Sequence, residues 1–158
     1  MFTSRSLILF CICICLFSFI AGCGKSSSGT QNHKDREPYD GGGKVTGKIQ
    51  TRVSSKQDDG TVHFVFHLKN ESGKEKTFHF NTGQRFDFII KDSQGKKIKQ
   101  YSKGRIFTQA LGEEKVKKGE ELTYKAKIAD LPKGKYTVTF WLTAQKEDLK
   151  ASRTFEVE

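Results

Sequence analysis

Few side chains in this chain have the type and spacing to do chemistry. His63 and His67 lie four apart in an alternating segment and so share one face of a strand. His79 comes near them if its own strand pairs beside theirs. Imidazoles gathered on one β face can bind zinc or copper. No cysteine or acidic ligand is placed with them, so outward polar positions on a sheet face are the preferred reading and no metal is expected. Gly42 to Lys48 has the Gly-x-x-x-x-Gly-Lys spacing of a phosphate-binding loop. Ile49 stands where Ser or Thr should hold magnesium, and the run leads into a strand, so no helix N-terminus meets a phosphate. Asp87 and Glu113-Glu114 are carboxylates without an evident partner or pocket, and no Gly-x-Ser-x-Gly elbow occurs. Enzyme activity and a cofactor are therefore not expected.

One cysteine carries a different chemistry. An apolar run from Leu7 to Ile20 comes after Arg5 and ends in Ile20-Ala21-Gly22-Cys23. The run has the length of a signal-peptide core and is short for a membrane span of ~20 residues. Small residues before a cysteine resemble the bacterial lipobox, with Ile20 where Leu is more usual. That resemblance implies lipidation of the Cys23 thiol, cleavage before it, and a lipid bilayer as partner. The expected location is the extracytoplasmic face of the cell membrane. Cys11, Cys13 and Cys15 lie within the apolar run, so no intrachain disulfide is expected.

The chain has 158 residues and a formal charge of +10, which fits one folded domain with a lysine-rich surface. An exported, tethered chain has little access to nucleic acid, so none is expected as a partner; anionic headgroups or wall polymers are the plausible attractors. Residues 1–22 read as signal peptide and residues 23–43 as a flexible linker, since only Tyr39 there offers much to bury. Residues 44–158 read as the domain, expected to be a monomer.

Within the domain the hydrophobic period is two. Val45, Ile49, Thr51 and Val53 alternate with polar residues in one strand, and Val62, Phe64, Phe66 and Leu68 do so after the turn Asp58-Asp59-Gly60. Phe78 and Phe80, then Phe86, Phe88 and Ile90, continue the pattern. Short strands are expected around Ile98–Tyr101 and Ile106–Ala110. Leu122 to Ile128, Tyr136 to Leu142, and Phe155 with Val157 complete it. Turn residues punctuate every segment and no helical spacing is sustained, which predicts an all-β antiparallel sandwich of about eight or nine strands. Trp141 falls out of phase with Phe140 and Leu142; it is either an exposed binding anchor or a cover for the end of the sandwich.

The order Gln84-Arg85-Phe86-Asp87-Phe88, Tyr101-Ser102, Phe107-Thr108-Gln109-Ala110, Lys118-Gly119 and Pro132-Lys133-Gly134 resembles the BsuPI family of intracellular proteinase inhibitors. It departs at Lys118-Gly119, where Pro-Gly is more usual. The resemblance implies an immunoglobulin-like β-sandwich and inhibition of a serine protease. Inhibition asks for a rigid, exposed loop, and Ser102-Lys103-Gly104-Arg105 is the candidate, with Lys103 or Arg105 suited to a trypsin-like pocket. The alternative function is a non-enzymatic module that holds an envelope protein, a peptide or an anionic wall polymer.

Overall fold

The computed structural model describes residues 41–43, 45–46 and 48–158, with side chains from Lys48 onward. Cys23, residues 1–22 and nearly all of the expected linker lie outside the described residues.

The strands are β1 (Gly41–Gly43), β2 (Val45–Thr46), β3 (Ile49–Asp58), β4 (Thr61–Asn70), β5 (Lys76–Phe80) and β6 (Phe86–Asp92). They continue with β7 (Lys97–Gln100), β8 (Gly112–Val116), β9 (Glu121–Ala129), β10 (Gly134–Leu142) and β11 (Lys150–Val157). All pairings are antiparallel. One sheet has the order β1-β11-β10-β6-β7, the second β2-β3-β4-β9, and β5-β8 form a separate ribbon. This is the all-β sandwich that the alternation predicts, with nine strands from Ile49 onward.

Alternation works because successive side chains on a strand point to opposite faces. In β4, Val62, Phe64, Phe66 and Leu68 are buried, and in β10 Tyr136, Val138, Phe140 and Leu142 are. Phe140 is the hub between the sheets, with ring centroids 5.6 Å from Phe66, 5.9 Å from Phe64 and 4.8 Å from Phe88. Phe64 also meets Phe155 edge-on at 5.0 Å. The sheets are tied at one edge by polar contacts. Thr51 Oγ1 donates to the Lys150 carbonyl at 2.8 Å, and Arg153 Nε donates to Ser55 Oγ at 2.8 Å.

The β3–β4 hairpin turns on Asp59 and Gly60, both with positive φ (44° and 68°). Two left-handed residues match the twist of the flanking strands, and Gly takes that conformation at no steric cost.

Three of the sequence expectations need correction. Gly41–Gly43, read as linker, pair with Arg153, Ser152 and Ala151 of β11; backbone hydrogen bonds need no side chain to bury. The first strand is two strands, because Val45 and Thr46 fold back on Gln50 and Ile49. Ile106–Ala110 is not a strand. Its β-branched and aromatic composition suggested one, yet the pairing partner of β5 is Gly112–Val116, in which only Val116 is buried.

Candidate functional site

Three of the seven residues from Thr82 to Phe88 hold the long connection between β7 and β8. Asp87 comes first. It lies on the outward phase of β6, between Phe86 and Phe88, yet is only 4% exposed. A buried carboxylate must have its oxygens satisfied. Oδ1 accepts the Phe88 N–H at 2.8 Å and the Ser102 N–H at 3.0 Å. Oδ2 accepts from Ser102 Oγ at 2.7 Å and from Gln100 Nε2 at 3.0 Å. The start of the connection is thereby fixed to β6.

The middle is held by backbone: the Gly83 N–H donates to the Thr108 carbonyl at 2.9 Å. The far end is held by Arg85. Its Nε donates to Glu114 Oε1 at 3.0 Å, its Nη1 donates to the Thr82 carbonyl at 2.7 Å, and its guanidinium lies 4.5 Å over the Phe80 ring. A side chain on Gly112 would collide with that guanidinium, so the two can pack only because position 112 lacks one. Tyr124 of β9 donates to Glu114 Oε2 at 2.6 Å. Burial first, then the bond to Glu114 and that carboxylate's charge, push the Tyr124 hydroxyl well above its ordinary pKa. It therefore stays protonated and remains the donor.

Between these anchors the candidate loop has two parts. Ser102-Lys103-Gly104-Arg105 is a closed β-turn: the Arg105 N–H donates to the Ser102 carbonyl at 3.1 Å and Gly104 has φ 75°. Lys103 is exposed, while the Arg105 guanidinium sits 4.3 Å over the Tyr101 ring. The two basic side chains are thus on a tight corner, not an extended segment. From Arg105 to Leu111 the chain runs without helix, strand, turn or bend and with no positive φ. Ile106 is 100% exposed and Leu111 83% exposed. Only Phe107 turns inward, 6.0 Å from Tyr101. Sequence reading missed this stretch because its apolar residues imitate a strand; the absence of strict alternation was the available signal.

The other sequence candidates disperse. Trp141 is half-buried, in register with Asp87 on one side and Lys150 on the other. His67 Nδ1 lies 3.0 Å from Arg52 Nη2 and 3.1 Å from Glu121 Oε1, and its Nε2 lies 3.1 Å from Ser54 Oγ. Burial, then the Arg52 charge, lowers its pKa against the opposing pull of Glu121. His79 is in β5, which pairs with β8 and not with β4, and it meets Glu113 at 3.0 Å. The three imidazoles therefore do not gather. Among the described residues no group of three or more metal-ligating side chains occurs.

Comparisons with known proteins bear on this site. No curated protein matches the chain. Among solved structures, Bacteroides uniformis beta-glucuronidase 2 covalently bound to cyclophellitol-6-carboxylate aziridine is similar at 14% identity and a TM-score of 0.39. The match covers 74% of this chain and 14% of that chain. Residues 49–147 match the family BsuPI, described as intracellular proteinase inhibitor. That description overturns the expected extracytoplasmic, lipid-anchored location, which rested on the pattern before Cys23 alone. The matched residues take in strands β3 to β10, from both sheets, and the whole clasped connection, and the chain belongs to the BsuPI intracellular proteinase inhibitor family.

Proposed function

We propose that the domain inhibits a serine proteinase and that the stretch from Arg105 to Leu111 is the part it presents to the enzyme. The observation that carries this is a seven-residue, unbent, solvent-facing segment held at its middle, at Thr108, and on either side, at Ser102 and Glu114, by one short piece of β6 and its approach. A proteinase cleft takes its substrate extended and pairs with its backbone. Apart from the Arg105 N–H and the Thr108 carbonyl, the backbone groups of this stretch have no hydrogen bond to the described residues, so they are free to pair in that way. Prior fixation of the segment reduces the ordering entropy that binding otherwise costs.

The closed turn Ser102–Arg105 then serves as the loop's corner, not as its contact. Titrating a serine proteinase with the full chain tests the reading. The expected result is a linear fall of activity to an equivalence point, lost when residues 105–111 are replaced by a Gly-Ser segment of the same length. Undiminished proteolysis in the presence of excess, intact chain would overturn it.

A further inference from the structure

We infer that Leu111–Gly112 is the reactive peptide bond and that Leu111 fills an apolar primary pocket of the proteinase, a step that rests on the inhibitory reading above. Two large apolar side chains stand free on the presented stretch, Ile106 and Leu111. Ile106 branches at Cβ, which stiffens it and crowds its own carbonyl. Leu111 branches one carbon further out, leaving the carbonyl open to attack. The basic candidates are poorer. Lys103 belongs to the closed turn, and the Arg105 guanidinium is engaged with Tyr101.

The residue after Leu111 matters as much. The Arg85 guanidinium lies directly against Gly112, where a side chain would otherwise stand, and is itself held by Glu114 and Thr82. Gly112 also pairs with Phe80 at the start of β8. Before the bond, the Thr108 carbonyl is held by Gly83. Both chain ends produced by a cut at this bond therefore stay attached to the body of the domain.

This gives the inhibitor a chemical means of surviving attack. The proteinase serine oxygen adds to the Leu111 carbonyl carbon, and its proton passes through the enzyme's base to the Gly112 nitrogen as the C–N bond breaks. The product is an ester on Leu111 and a free Gly112 amine. Because Phe80 and Arg85 keep that amine in place, it attacks the ester again. The peptide bond re-forms and the proton returns to the serine oxygen before water hydrolyses the ester. A held amine has the large effective concentration of an intramolecular reactant.

The test uses the full chain with two probes, subtilisin for an apolar pocket and trypsin for a basic one. The wild type is expected to inhibit subtilisin. Leu111→Lys is expected to weaken that inhibition about 100-fold, the scale set by a mismatched pocket side chain, and to gain inhibition of trypsin. Leu111 is exposed, so an unchanged melting temperature confirms that the variant folds. Intact-mass analysis after long incubation with subtilisin is expected to find a single cut between Leu111 and Gly112. Subtilisin inhibition that survives Leu111→Lys and Leu111→Gly, a wild type that inhibits trypsin alone, or a cut at another bond would each overturn the assignment while leaving the inhibitory reading intact. A wild type that inhibits neither enzyme would remove that reading, and this inference with it.

Discussion

Asp87→Ala separates a clasp from an incidental contact. The carboxylate accepts four hydrogen bonds at 2.7 to 3.0 Å, two from backbone N–H groups and two from side chains, while almost wholly buried. Hydrogen bonds to charged groups contribute roughly 1.5–3 kcal/mol each when removed singly, but they are not additive and the Ser102 side is open enough for water to replace part of the loss. We expect Asp87→Ala to cost about 2–4 kcal/mol, which for a domain of this size lowers the melting temperature by about 10 °C. Asp87→Asn keeps one acceptor oxygen for the two backbone donors. The Ser102 hydroxyl and the Gln100 amide can rotate to accept from the new NH2, so a loss of about 1 kcal/mol is expected. Hydrogen exchange adds the local readout. In Asp87→Ala the amides of Ser102 and its neighbours should exchange much faster, whereas those of β4 should change only as global stability changes. Equal melting temperatures for wild type and Asp87→Ala, with unchanged Ser102 exchange, would refute the claim that this residue fixes the loop.

Three further outcomes are expected. Gly112→Ala places a methyl group where the Arg85 guanidinium packs, and that group cannot withdraw without giving up Glu114 or Thr82; chemical denaturation should show a loss of about 1–3 kcal/mol, and an unshifted midpoint would contradict the packing described. Tyr124→Phe removes the donor to Glu114 but leaves Arg85 on the same carboxylate; a loss of about 1–2 kcal/mol is expected by the same assay, and a gain in stability would disprove the bond's contribution. The lowered pKa of His67 means the unfolded chain takes up this proton first as pH falls, so stability is full above the ordinary value of 6.5 and declines as pH drops below it toward the folded value. Melting curves across that range should fall less steeply for His67→Gln, and parallel curves for the two proteins would exclude the effect.

The core was legible because it is written locally. Val62, Phe64, Phe66 and Leu68, or Tyr136, Val138, Phe140 and Leu142, announce a buried face by spacing alone. Turn chemistry was local too, as at Asp59-Gly60. Illegible elements were those whose reason is elsewhere in the chain. β8 pairs as a strand though it reads Gly-Glu-Glu-Lys-Val, because β5 supplies its hydrogen bonds and its side chains need bury little. Ile106 read as the start of a strand, since nothing nearby in sequence says that no sheet will receive it.

The candidate site was illegible for the same reason, and its construction explains why its motif looks as it does. Asp87 finds Ser102 fifteen residues on, and Arg85 finds Glu114 twenty-nine residues on. Taken singly, Gly83, Arg85 and Asp87 are a turn residue, a surface cation and a carboxylate without a partner. Together they are three successive grips, at alternate positions, on one connection. Asp87 faces away from Phe86 and Phe88, whose rings go to the core, while Gly83 and Arg85 grip from the approach to β6. The motif Gln84-Arg85-Phe86-Asp87-Phe88 thus does two tasks with one strand and its approach: the aromatic positions fix β6 in the sandwich, and Arg85 and Asp87 carry that fixity to the loop. A loop so held can be apolar and exposed without collapsing onto the sheet, which is the physical condition an inhibitory segment has to meet.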